Sequence, residues 1–211
     1  MFFIKHKIFL KVIAVVIMTA AIAACGTDSH HFHLEGRFLK MNMADFYVYS
    51  PDGLINGIDT IHVKGGRFAY EIPCEREGVI VVVLPNFTEL PVFVKPGESV
   101  DMKADASHIK DIEITGTKEN ENMTEWSKSI DGMSPPDQCA QAEVFIRKNP
   151  KSIVSRWLLS RYFVQRPDAN LRKAKQLTSV IDEVNGTDPH SARFSEGIQR
   201  VSQARVGDKL P

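Results

Sequence analysis

"FHLEGRF" (residues 32–38) sets Phe32, Leu34, Gly36 and Phe38 at alternate positions, with His33, Glu35 and Arg37 between them. Side chains of a strand point to opposite faces in turn, so this spacing makes one face apolar and the other polar. It predicts a half-buried strand. The period of two continues outward: "DFYVYS" alternates Phe46 and Val48 against Tyr47 and Tyr49, and "RFAYEI" aligns Phe68, Tyr70 and Ile72. "SPDG" (residues 50–53), "KGG" (64–66) and "KPGE" (95–98) supply turn chemistry between these segments. "GVIVVVL" (78–84) is apolar throughout and reads as a central strand buried on both faces. Short strands at this spacing predict an antiparallel β-sandwich or open barrel over residues 31–116.

Beyond residue 117 the period changes. Pro135 after Ser134 suits the first position of a helix, and "DQCAQAEVFIRKN" continues it to Asn149, which precedes Pro150. "SIVSRWLLSRYF" sets Ile153, Trp157 and Arg161 on one stripe and Val154, Leu158 and Tyr162 on the next. Leu171, Ala174, Leu177 or Thr178, Ile181 and Val184 form another helical face, as do Phe194, Ile198 and Val201. Short links predict a small antiparallel helical packet over residues 117–205. The fold class expected is α+β.

The amino terminus is of a different kind. "MFFIKHK" is positive, "VIAVVIMTAAIAA" (residues 12–24) is apolar, and Cys25 follows directly. A spanning helix needs about 20 apolar residues, and Lys11 interrupts this one. Ile22, Ala23 and Ala24 before Cys25 resemble the bacterial lipobox. That resemblance implies a signal peptide over residues 1–24, cleavage before Cys25, acyl chains on Cys25, and a tether over residues 25–30. More than one acyl chain makes such anchoring stable. The expected location is the bacterial cell envelope, facing the periplasm or the cell surface, with the membrane itself as a partner.

Charge and motif content narrow the chemistry. The 211 residues hold 26 basic and 26 acidic side chains; Lys5, Lys7 and Lys11 precede Cys25, which leaves 23 basic against 26 acidic in the remainder. A slightly acidic body does not suit nucleic acid, whose phosphates require clustered Lys and Arg. The chain has no C-x-x-C, no Gly-rich phosphate loop, no G-x-S-x-G and no H-E-x-x-H. No catalytic residue, cofactor or metal is therefore expected. "HHFH" (His30, His31, His33) has two imidazoles on one strand face but no matching third ligand, and reads as a polar tether. Asp101, Asp105, Asp111 and Glu113 lack the spacing of a calcium loop and read as solvated strand edges. Phe46, Tyr47, Tyr49, Phe68 and Tyr70 could line a groove, although core and cross-strand pairs explain such aromatics more simply. Cys74 and Cys139 are read as two free, partly buried thiols, with a disulfide between them as the alternative in an oxidising compartment.

Together, the lipobox, "FHLEGRFLKMNMADFYVYSPDG", "IDTIHVKGGRFAYEI", "VFVKPGESVDMKADASHIKDIEITGTKENENM" and the helices from "FIRKNPKSIVSRWLL" resemble the N-terminal half of bacterial thioredoxin-like lipoproteins. In that family a β region, domain of unknown function four-three-six-nine, precedes a helical linker and a thiol-disulfide oxidoreductase domain of the TlpA and AhpC type. "VGDKLP" (residues 206–211) is similar to the V-G-x-x-A-P-x-F opening of such domains, with Val206, Gly207 and Pro211 matching. The resemblance implies a membrane-tethered, noncatalytic portion of an oxidoreductase, stopping at a stub of its redox domain. A standalone envelope binding or scaffold lipoprotein with a protein partner is the other expectation.

Overall fold

The computed structural model describes residues 29–166, 169–186, 194–198 and 200. Eight strands come first: β1 His31–Leu39, β2 Met43–Tyr49, β3 Ile58–Lys64, β4 Arg67–Pro73, β5 Gly78–Val83, β6 Glu89–Val94, β7 Ser99–Asp105 and β8 Glu113–Thr115. They form one sheet in the order β6-β5-β2-β3-β4-β1-β7-β8, curled into a nearly closed barrel. Of the two β architectures expected, the open barrel is the one formed.

The alternation in the sequence fills the barrel. Phe32, Leu34, Phe38, Phe46, Val48, Ile61, Ile80, Val82, Val92 and Met102 all point inward and are at most 2% exposed. Gly36 belongs to this inner row because the Phe68 ring lies across it: a Cβ there would sit 2.1 Å from Phe68 Cε1. Phe38, Phe46 and Phe68 stack around that point at centroid separations of 5.1 to 6.2 Å. The β3–β4 hairpin turns on Gly65 and Gly66, both at positive φ, the geometry that a two-residue turn between right-twisted strands requires.

Three details depart from the sequence expectation. The sheet is mixed, because β1 pairs in parallel with β7, Leu34 opposite Val100 and Phe38 opposite Ala104. Side-chain alternation is the same in parallel and antiparallel pairs, so periodicity carries no information on direction. "SPDG" does turn the chain, Gly53 N–H donating to Ser50 C=O at 3.4 Å, but it does not join β2 to β3 directly; it opens a longer connection, residues 50–57, in which the Ser50 hydroxyl donates to Asp52 and accepts from Leu54 N–H. Finally, β5 is buried on both faces as expected yet lies next to the sheet edge, and its outer face is covered by helices rather than by a second sheet.

Those helices are α1 Lys118–Ser129, α2 Pro135–Lys148, α3 Ile153–Leu159 and α4 Leu171–Asn185, with a π turn at Ser160–Val164 and a short helical piece at 194–198. Thr117, Ser134, Ser152 and Asn170 cap α1 to α4 through side-chain oxygens, which satisfy N–H groups that a helix start leaves without partners. Val79, Val81 and Phe93 on the outside of β5 and β6 pack with Trp126, Ile146, Val154, Leu158, Leu177 and Ile181 into a second core. The π turn shifts the stripes read from "SIVSRWLLSRYF": Phe163 and Val164 take the buried positions, Tyr162 is half-buried, and Arg161 turns out to Glu89 at 3.2 Å. Val184 is exposed, and Val201 lies outside the described residues.

Helix α1 breaks no periodicity rule, yet the apolar pattern does not announce it. Its Asn120 faces β6, one edge of the sheet, and its Thr124 faces β8, the other edge. Asn120 accepts from Phe93 N–H at 3.0 Å and donates to Phe93 C=O at 2.8 Å. Thr124 accepts from Ile114 N–H and donates to Ile114 C=O, both at 3.1 Å. An unpaired strand edge is a row of unmet backbone donors and acceptors. Here one helix meets both edges with side chains and so closes the seam of the barrel.

Candidate functional site

The barrel has two ends. At one end lie the start of β1, the β2–β3 connection and the β4–β5 link: Cys74 N–H donates to His30 C=O at 2.7 Å, and Gly97 N–H donates to His31 C=O at 2.9 Å. The chain preceding β1 therefore enters at this end. Between it and the helical packet is a cleft of about 500 Å³, within the ordinary range for small-molecule sites.

Its walls come from both halves of the fold. The barrel supplies Pro51, Asp52, Arg76 and Val79; α3 supplies Ile153, Arg156 and Trp157; the π turn supplies Ser160 and Val164; and Phe194 and Ile198 complete it. Asp52 is fixed by acceptance from the Ser50 hydroxyl at 2.6 Å and from Val79 N–H at 3.1 Å. Arg76 donates to Asp52 C=O at 2.6 Å and to Glu77 C=O at 3.2 Å, and lies 3.6 Å from the Asp52 carboxylate. Arg156 is only 12% exposed, with Glu77 at 3.6 Å. The cleft thus has an apolar floor and a polar corner built around two guanidinium groups. An α-helix that leaves its i to i+4 ladder for a π turn often does so at a functional site.

Sequence reasoning did not single out Asp52, Arg76 or Arg156. The available signal was Arg156 itself, a cation inside the apolar run "SIVSRWLL". Such a residue on the packing face of a helix requires a partner or a purpose.

The residues singled out from the sequence are scattered. Cys25, the leader and residues 206–211 lie outside the described residues. Cys74 and Cys139 are both free and belong to different cores, Cys74 inside the barrel and Cys139 in the helical packet, so the disulfide alternative is not what the structure holds. The Cys74 thiol is fully buried and donates to Arg76 C=O at 3.2 Å, and burial pushes its pKa up. An attacking thiolate needs the opposite environment. Cys139 is half-buried, 3.8 Å from Tyr162 C=O, beside a smaller cleft of about 260 Å³. A thiol-alkylating reagent followed by peptide mapping is expected to label Cys139 in the native chain and Cys74 only after unfolding. Equal labelling of both in native buffer would contradict this burial.

His31 and His33 both approach Glu71 across the sheet, at 3.8 and 3.5 Å, and no cluster of three or more metal-ligating side chains occurs among the described residues. The acidic set is spread over lysine partners: Asp101 with Lys103, Asp105 with Lys40, and Glu113 with Lys128. The Lys40 ammonium, helped by Ser107 N–H, holds the Asp105 carboxyl down at about 2. The aromatics do not line one groove. Phe46 and Phe68 are core, Tyr47 is exposed, and the Tyr49 and Tyr70 hydroxyls donate to Glu89 and Asp59.

Residues 32–123 match the family described as Domain of unknown function (DUF4369). The match runs from the first buried residue of β1 through the half of α1 that carries Asn120, so it includes the contact that seals β6. No curated protein matches the chain.

Proposed function

We propose that this chain is a membrane-tethered, noncatalytic module of the bacterial cell envelope, held by lipid on Cys25, that supports a thioredoxin-like thiol-disulfide oxidoreductase domain. The observation that carries the reading is the DUF4369 match over residues 32–123, set between a lipobox-like segment ending at Cys25 and a helical packet with which the barrel shares a core. The continuous second core makes barrel and packet a rigid platform rather than two beads on a string. The state of the thiols agrees with a supporting role, since Cys74 is buried with its pKa raised. No helix among the described residues is long and apolar enough to cross a membrane, and the attachment proposed is by lipid on Cys25. The thioredoxin-like partner is drawn from the resemblance of the whole arrangement, including Val206, Gly207 and Pro211.

The test has two parts. Cells making the chain or its Cys25→Ala variant are fed a fatty-acid probe, and membrane fractions are compared; label is expected on the former alone, and equal labelling removes the tether. Translating the DNA that follows the Pro211 codon in all three frames is expected to give a W-C-x-x-C-like segment preceded by an apolar strand. If it gives none, the oxidoreductase link fails and a standalone envelope binding lipoprotein takes its place.

A further inference from the structure

The cleft between barrel and helices has a chemistry that the platform role does not use. Its floor, Val79, Ile153, Trp157, Val164 and Ile198, is hydrocarbon and indole. Its polar corner is cationic in what it offers a ligand, although the formal charges there balance. The Asp52 carboxylate is already occupied by Ser50 and Val79. Glu77 stands 3.6 Å from Arg156, beyond hydrogen-bonding range. A guanidinium carries five N–H donors in a planar fork. Among the described residues the donors of Arg156 make no hydrogen bond shorter than that 3.6 Å approach, in a side chain only 12% exposed. A largely buried guanidinium whose nearest acceptor, the Glu77 carboxylate, stands at 3.6 Å is poorly satisfied, and a carboxylate or phosphate can fill such a fork with two parallel bonds.

We propose that the cleft binds a single-chain anionic amphiphile, its head on Arg156 beside Arg76 and its hydrocarbon chain along Ile153, Trp157, Val164 and Ile198. A neutral apolar ligand would leave the guanidinium with only its 3.6 Å ion pair to Glu77, and a compact anion would leave the apolar floor wet. Only a molecule with both parts satisfies both ends. Two sources share this chemistry: a free long-chain carboxylate and a bilayer lysophospholipid. The position of the cleft favours access to a membrane. It opens at the barrel end where the chain preceding β1 enters, and four residues lie between Cys25 and His30, so the five steps from one to the other reach at most roughly 18 Å when extended. That step rests on the tether reading. Binding from solution does not, so the two can fail separately.

Trp157 in the wall supplies the readout. The full chain is placed in phosphatidylcholine vesicles and its tryptophan fluorescence is followed. In one arm 12-bromododecanoate is added, and 12-bromododecanol and the matching alkylammonium are added in parallel. In a second arm the vesicles carry brominated lysophosphatidylglycerol. Saturable quenching is expected in at least one arm, about tenfold tighter for the carboxylate than for the alcohol, weakest for the cation, and lost in Trp157→Phe. The arm that responds identifies the source. Arg156→Gln is expected to abolish the preference for the acid while leaving the weak alcohol response. The proposal is overturned if neither arm saturates, if Trp157→Phe is quenched alike, or if acid, alcohol and ammonium bind equally. The three-ligand comparison on the unaltered chain decides the matter even where Arg156→Gln fails to fold.

Discussion

Asn120→Leu is expected to lower the unfolding free energy by about 3 kcal/mol, because it strands the Phe93 N–H and C=O together at a site that water does not reach. Asn120 is 1% exposed, and its amide also donates to the Thr117 hydroxyl at 2.7 Å. Leucine has similar bulk and none of these partners. Each buried, unpaired backbone group costs about 1–3 kcal/mol, and this change creates two. The loss is read from the urea midpoint, with Glu125→Ala, an exposed change on the same helix, expected to move it by less than about 0.5 kcal/mol. Because β6 is an edge strand, the variant is also expected to self-associate as its unmet edge seeks another strand. A loss below about 0.5 kcal/mol, no larger than that of the surface control, would mean that the seam is held by packing alone.

Gly36→Val should be more damaging still. The first atom of any side chain at residue 36 falls 2.1 Å from Phe68 Cε1 and 2.3 Å from Cζ. The ring has little room to retreat, because Phe38 and Phe46 pack on it. Nor can the backbone, since β1 is hydrogen-bonded to β4 on one side and β7 on the other. Overpacking of this kind costs about 1–3 kcal/mol and sometimes more, and three added carbons against a fixed ring put it at or above the top of that range. Loss of the folded chain from the soluble fraction is the expected readout for Gly36→Val. Gly36→Ala is the measurable version, and combining it with Phe68→Leu is expected to recover stability, the signature of two sites in contact. If the two changes simply add, the glycine is not there to seat the ring.

How much of this was legible depends on which interactions are local. The inward row of β1 could be read from "FHLEGRF", and even Gly36 was assigned to it, because alternation of faces is a property of consecutive residues. The β3–β4 turn and the caps at Ser134 and Asn149 were legible for the same reason. Helix α1 was not. It buries little besides Asn120 and Trp126, so it has no apolar stripe to find, and its most consequential residue is polar. Nor could the cleft be read ahead of the fold: Asp52, Arg76, Arg156 and Ile198 are separated by up to 146 positions in the chain and meet only after the helices pack against β5.

The sequence by itself determined the α+β order and the inner face of the barrel, and it carries an apolar amino-terminal stretch followed by Cys25, whose resemblance to a lipobox makes lipid attachment a proposal. Each of these is written in neighbours, in a period of two or 3.6 residues or in a contiguous motif, and needs no knowledge of what lies across the fold. Only the tertiary structure decided that β1 and β7 run parallel, that β5 is covered by helices, that α1 bridges both sheet edges, and that Cys74 and Cys139 lie in separate cores. The physical reason is that strand direction and edge closure are settled by long-range contacts whose partners no local pattern names. A side chain such as Asn120 becomes structural only when a strand edge with matching donors and acceptors arrives opposite it.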